Sequence, residues 1–249
     1  MGKQLRLIGS VMLVVLILLF SQEIRDLAAA LGHKIPGLSI PYGGALLDNL
    51  LGVLVVILAG ALLLRRPGLV AALGLRLNGW RAPLLVAIGT LPAWIGLYWL
   101  GGLSHDWTWL DLAMLTIAFP LAEEIVFRGF GFVSTRQALG WPLWLAIGVQ
   151  ALLFGLVHWW GIGGIEGGAM ALQVFAITAI GAVAMALLDR LDGYTIWSGW
   201  VLHVSLNLAW NVFHVPDEAM FGWTGNALRI AAAALALLLV WRFGRPRRA

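Results

Sequence analysis

Near the middle of the chain the stretch PLAEEIVFR puts Glu123, Glu124 and Arg128 within six residues of one another, in otherwise apolar surroundings. On a helix turning about 100° per residue, Glu124 and Arg128 fall on one side and can form an ion pair. Glu123 points away from Glu124, so one carboxylate is neutralised while the other stays available. Farther on come His158, in the run FGLVH, and a polar set of His203, Asn207, Asn211 and His214. Those last four fall within about 80° on a helical wheel and must face the bundle interior or a wet cavity, because lipid cannot satisfy them.

A carboxylate, two histidines and an amide in one apolar cavity suit the activation of water for attack on a carbonyl. Burial makes a carboxylate a better base, and a neighbouring imidazole can orient the water. An Asn amide and a histidine N–H can stabilise the developing oxyanion. The chain has no cysteine, no serine in a nucleophile elbow and no HExxH helix, so those routes have no support. A Glu/His/His set is a known zinc ligand combination and stays as an alternative, although the glutamate-water reading requires no cofactor.

The elements that must position these residues are membrane helices. The chain is 61% hydrophobic and 11% charged, with a mean hydropathy of +0.91, too apolar for a soluble domain of 249 residues. Eight runs approach the roughly 20 apolar residues of a span: 5–20, 43–64, 84–103, 110–138, 141–160, 168–188, 195–215 and 227–241. The expected fold is all-α, a polytopic membrane bundle of about eight helices, forming a single domain over residues 1–249. No small-x-small cleavage site follows the first run, so a retained helix is expected there. Residues 67–77 are expected to add a short interfacial helix.

Basic residues support that layout. Lys3 and Arg6 precede the first run, Arg65, Arg66, Arg76 and Arg81 fill the second loop, and Arg190 lies in the sixth. Arg242, Arg245, Arg247 and Arg248 follow the last run, while the third, fifth and seventh loops hold only Asp106, Glu166, Asp217 and Glu218 as charged residues. The positive-inside rule then puts both termini in the cytoplasm. The pI near 10.1 reflects this topology signal and not a nucleic-acid surface. Tryptophans near run ends (Trp80, Trp107, Trp109, Trp141, Trp144, Trp159, Trp160, Trp223 and Trp241) read as an interfacial belt.

An ionisable group inside a span costs roughly 2.5–3.5 kcal/mol and is by default a functional hypothesis. The tight turn at Gly140-Trp141-Pro142 makes the fourth and fifth runs antiparallel neighbours, and counting back from it puts Glu123 and His158 at nearly equal depth. His203 and Asn207 lie nearer mid-membrane than His214, which reads as interfacial.

The ordered trio EExxxR, FxxxH and HxxxN (Glu123, Glu124 and Arg128; Phe154 and His158; His203 and Asn207) resembles the CPBP family: CAAX prenyl proteases of the Rce1 type and their bacterial relatives of the Abi group, linked to bacteriocin processing and self-immunity. The resemblance covers about residues 110–215. It implies an intramembrane endopeptidase in a bacterial inner membrane, acting on a peptide or membrane-protein tail. Glu123 and His158 would activate water, His203 and Asn207 would form the oxyanion site, and Glu124 and Arg128 would support them. The rival readings are a non-catalytic immunity or scaffold protein of the same fold and a small transporter. A binding module has no need of base, histidines and amide together, and no repeat or paired broken helix points to a transporter.

Overall fold

The computed structural model describes residues 2–63, 68–220 and 222–244. Eight long helices follow in order: α1 (Gly2–Ser21), α2 (Gly43–Leu63), α3 (Arg81–Gly101), α4 (109–137), α5 (Leu143–Gly161), α6 (Gly168–Leu191), α7 (Trp197–Val212) and α8 (Trp223–Gly244). Among the described residues the only β pairing is an isolated bridge between Leu103 and Phe213.

Six of these helices, all but α4 and α7, are long and apolar enough to cross a membrane. That is two fewer than the eight spans expected. Helix α7 has 16 residues, a rise of about 24 Å against a hydrocarbon core of about 30 Å. Helix α4 carries the charges and is interrupted by π-helical stretches.

Prolines account for two of the helix irregularities. Pro120 has no N–H, and in a regular helix its ring would crowd the preceding turn. The chain answers by widening over Leu112–Ala118 into π-helix, where Thr116 Oγ1 donates to Leu112 O at 2.6 Å. Pro92 likewise bends α3 at Thr90. There Thr90 Oγ1 and Ser205 Oγ of α7 share a hydrogen bond of 2.7 Å, and Trp94 Nε1 donates to the same Ser205 Oγ at 2.8 Å.

Close helix packing rests on small residues, as expected where lipid removes the usual hydrophobic drive between helices. Helices α5 and α6 form the most intimate pair, with Gly155 so close to α6 that a Cβ would lie 2.9 Å from Phe175 O. At the α3–α8 crossing a Cβ on Gly89 would lie 2.4 Å from Ala236 Cα. Helix α5 packs against the second half of α4, as the Gly140 turn requires, with Gly140 at φ +70. Val14 and Leu18 of α1 join the same core as Phe127, Phe130 and Phe154.

One expectation needs correction. Trp141 is no belt residue: it is fully buried, and its Nε1 donates to Ser10 Oγ at 2.9 Å, tying the α4–α5 turn to α1. Trp80, Trp109, Trp144, Trp160, Trp223 and Trp241 are exposed. Residues 68–77 contain a short helix over Leu69–Ala72, with Ala72 and Leu73 buried against α4 and Val70 exposed. Arg65, Arg66, Arg245, Arg247, Arg248 and the Glu218 side chain, all belonging to the charge pattern, lie outside the described residues.

Gly89→Ala should lower stability in detergent by about 1–3 kcal/mol through overpacking. Gly148→Ala, which meets nothing within 4 Å, should be near neutral or slightly stabilising. Thermal unfolding of both variants checks the close α3–α8 crossing.

Candidate active site

Glu124 and Arg128 are both completely buried, with Arg128 Nε 3.1 Å from Glu124 Oε2. The contact is one of close opposite charge and not a well-aligned hydrogen bond, since neither atom completes one. Groups from three other helices add contacts to the pair, although Arg128 Nη1 completes no hydrogen bond among the described residues. His203 Nδ1 of α7 donates to Glu124 Oε1 at 2.9 Å. Arg128 Nη2 donates to Met185 Sδ of α6 at 3.2 Å, and Arg128 Cζ lies 4.1 Å from the ring centroid of Phe154 on α5.

Glu123 has a different environment. Its side chain is 23% exposed, and its Oε2 lies 3.7 Å from His203 Nε2. The imidazole of His203 therefore spans both carboxylates, one on each ring nitrogen. Depth counting pointed Glu123 to His158, whereas among the described residues its ion-pair partner is His203.

His158 and His203 both lie against the Phe154 ring, at centroid distances of 4.4 and 6.1 Å. His158 Nδ1 stands 2.8 Å from Phe154 O. A carbonyl only accepts, so Nδ1 carries the hydrogen and the neutral ring presents Nε2 as an acceptor. That tautomer suits a group that orients water.

Asn207 is held through Pro120. In the π-helical register an N–H five residues on serves each carbonyl, as Phe119 N does for Met114 O. The residue that would serve Leu115 O is Pro120, which has no N–H. Asn207 Nδ2 donates to that carbonyl at 3.1 Å. One amide N–H of Asn207 is left for another acceptor. Asn211 Nδ2 donates to Asn207 O at 2.8 Å, and His214 is exposed beyond the end of α7.

Sequence reasoning missed three contributors: Phe154 as the hub, Met185, and Asp189. Asp189 is fully buried on α6, and its Oδ1 accepts from Gly199 N of α7 at 2.7 Å. A Cβ on Gly199 would lie 2.8 Å from that oxygen, so only glycine lets the backbone this close. Asp189 lies within electrostatic range of Glu124 and Arg128 and fixes α7 one turn before His203. Its neighbour Arg190 is exposed, and together they read as ordinary loop charges. Beyond α6, Asp192 Oδ2 accepts from Thr195 Oγ1 at 2.7 Å and Ser198 Oγ at 2.8 Å. Burial pushes its carboxyl up, against the opposing effect of the two hydroxyls.

Among the described residues no three His, Asp or Glu side chains gather as a metal-binding set.

Residues 105–209 match the family model described as type II CAAX prenyl endopeptidase, Rce1-like. The match runs from just before α4 into the last turn of α7 and contains all seven residues of the motif trio. No curated protein and no solved structure matches the chain.

Arg128→Met leaves a buried carboxylate without its cation and should cost about 3–5 kcal/mol. Glu124→Leu combined with Arg128→Met removes both charges and should recover much of that loss. Thermal unfolding of the single and double variants measures the coupling.

Proposed function

We propose that this Rce1-like membrane protein is a glutamate-dependent intramembrane endopeptidase, cleaving a peptide or the tail of a membrane protein. The observation that carries the reading is the unequal treatment of two adjacent carboxylates by one imidazole. Glu124 is buried, ion-paired to Arg128 and hydrogen-bonded to His203, while Glu123 is partly exposed and has no Arg or Lys partner among the described residues.

On this reading Glu123 takes a proton from a water that His158 Nε2 orients. The water oxygen bonds to the scissile carbonyl carbon, and the developing oxyanion accepts from the free N–H of Asn207. His203 Nε2 adds a second donor when the ring carries both hydrogens, the form that satisfies a carboxylate on each side. The proton held by Glu123 then passes to the leaving amine as the C–N bond breaks, which returns Glu123 to its carboxylate. Glu124 and Arg128 position His203 and take no proton. We place the protein in a bacterial inner membrane with its basic loops cytoplasmic, on the strength of the loop charges.

Glu123→Gln and His158→Ala in purified protein, assayed against a peptide library or a membrane proteome, should each lower cleavage by about 10²-fold or more. Undiminished cleavage in both variants would sink the mechanism. Wild-type activity should survive exhaustive chelation.

A further inference from the structure

Glu123 is reached from one end of the bundle and closed off from the other. Short turns reverse the chain between α4, α5, α6 and α7, so one end holds the start of α4 and the last turns of α5 and α7. Polar side chains lead from Glu123 to that end. His203, Asn207 and Asn211 lie along α7 and none is fully buried, while His214 beyond them is exposed. His158 is half-buried in the last turn of α5, close to the exposed Trp160. His203 to Asn211 covers about 12 Å of helix. Lipid cannot satisfy a stripe of half-exposed imidazoles and amides, so water follows it to Glu123.

The opposite end is sealed. From Val126 to Thr135 every residue of α4 is buried, as are Asp189 of α6 and Ser198 of α7. The described part of the connection from α2 to α3 fills the space between the end of α4 and the start of α7. Leu73 in it is fully buried, and its carbonyl lies so near α4 that a Cβ on Gly129 would be 2.8 Å from Leu73 O. Ser134 Oγ of α4 donates to Ala72 O at 2.8 Å, and Ile196 N donates to Gly74 O at 3.0 Å. Trp197 Nε1 of α7 donates to Leu75 O at 3.3 Å, and Asn78 Nδ2 donates to Asp192 O at 2.9 Å. The polar groups at this end bond to one another and line no route to Glu123.

Charge distinguishes the two ends. Arg76, Arg81, Arg136, Arg190 and Arg242 lie at the sealed end, whereas the loops of the open end set only Arg25 and Lys34 against Asp106, Glu166 and Asp217. Arg25 is itself held by Asp48 at 2.9 Å. The positive-inside rule makes the sealed end cytoplasmic. We infer that the active site opens to the extracytoplasmic face, and that its substrates are peptides or membrane-protein segments presented from outside the cell membrane. The inference rests on the endopeptidase reading and narrows its substrate class, since a tail in the cytosol meets the closed end of the bundle.

The chain has no cysteine, so a single introduced one reports access without background. In bacterial spheroplasts producing the full chain, a membrane-impermeant maleimide should label Ile165→Cys at the open end, and Leu77→Cys only once the membrane is broken. Glu123→Cys should label from outside, as Ile165→Cys does, and Asn211→Cys, farther along the stripe, is the second probe should that variant fail to fold. Cleavage gives an independent readout. Right-side-out vesicles should cleave a pool of dye-labelled peptides that cannot cross the membrane, and inside-out vesicles should show no cleavage above that of Glu123→Gln vesicles. Labelling of the site cysteines only from the cytoplasmic side, or from neither side, overturns the inference. So does Glu123-dependent cleavage by inside-out vesicles, which needs no cysteine variant to fold. Labelling from outside with no Glu123-dependent cleavage in either orientation supports the outward-facing site and refutes the protease reading.

Discussion

The bundle is organised by a buried charge pair that cannot stand alone. Glu124 and Arg128 have no solvent contact, and removing each ion from water costs several kcal/mol before any attraction is gained. One poorly aligned contact between them does not offset that. Further contacts come from His203, Met185 and Phe154, on α7, α6 and α5. The pair therefore holds four helices to a common point, and the histidine of α7 has its orientation fixed as a consequence.

Pro120 has a comparable role about one turn earlier in α4. Its missing N–H empties the carbonyl of Leu115 in the widened helix, and Asn207 fills that carbonyl across the α4–α7 seam. A defect in one helix thus becomes the anchor of a side chain on another. The polar contacts along α7 follow the same pattern: Gly199 to Asp189, His203 to the two glutamates, Asn207 to Leu115. Helix α7 is short and carries much polarity, and these contacts to its neighbours supply what lipid cannot.

Local periodicity made much of this legible in the sequence. The eight helical runs, the Glu124–Arg128 pairing, the α4–α5 turn and the polar face of α7 all follow from spacing within one or two consecutive elements. What was not legible depends on register between helices distant in the chain. Depth counting can compare α4 with α5 because a tight turn joins them, but α7 reaches Glu123 from 80 positions further on and no count fixes its height. Asp189 was hidden because a carboxylate beside an arginine at a helix end resembles a topology signal, and burial alone distinguishes it. Trp141 misled for a similar reason: a tryptophan at a span end is usually in the belt, and only the position of Ser10 on α1 shows otherwise.

The adjacency of the two glutamates now has a physical rationale. A carboxylate that holds a fold together cannot also cycle a proton, because protonating Glu124 would release Arg128 and His203 at once. A carboxylate that cycles a proton must be reachable by water, which a fully buried anchor is not. Consecutive positions on a helix separate the two duties by about 100° while keeping both within reach of a single imidazole. The histidine links them: Nδ1 is fixed by the anchor, and Nε2 lies 3.7 Å from Glu123, the carboxylate that reacts on the proposed reading. Moving either glutamate by one position would break that arrangement, so on the proposed reading the pair acts as one unit, and its immobile half sets the geometry of the reactive one.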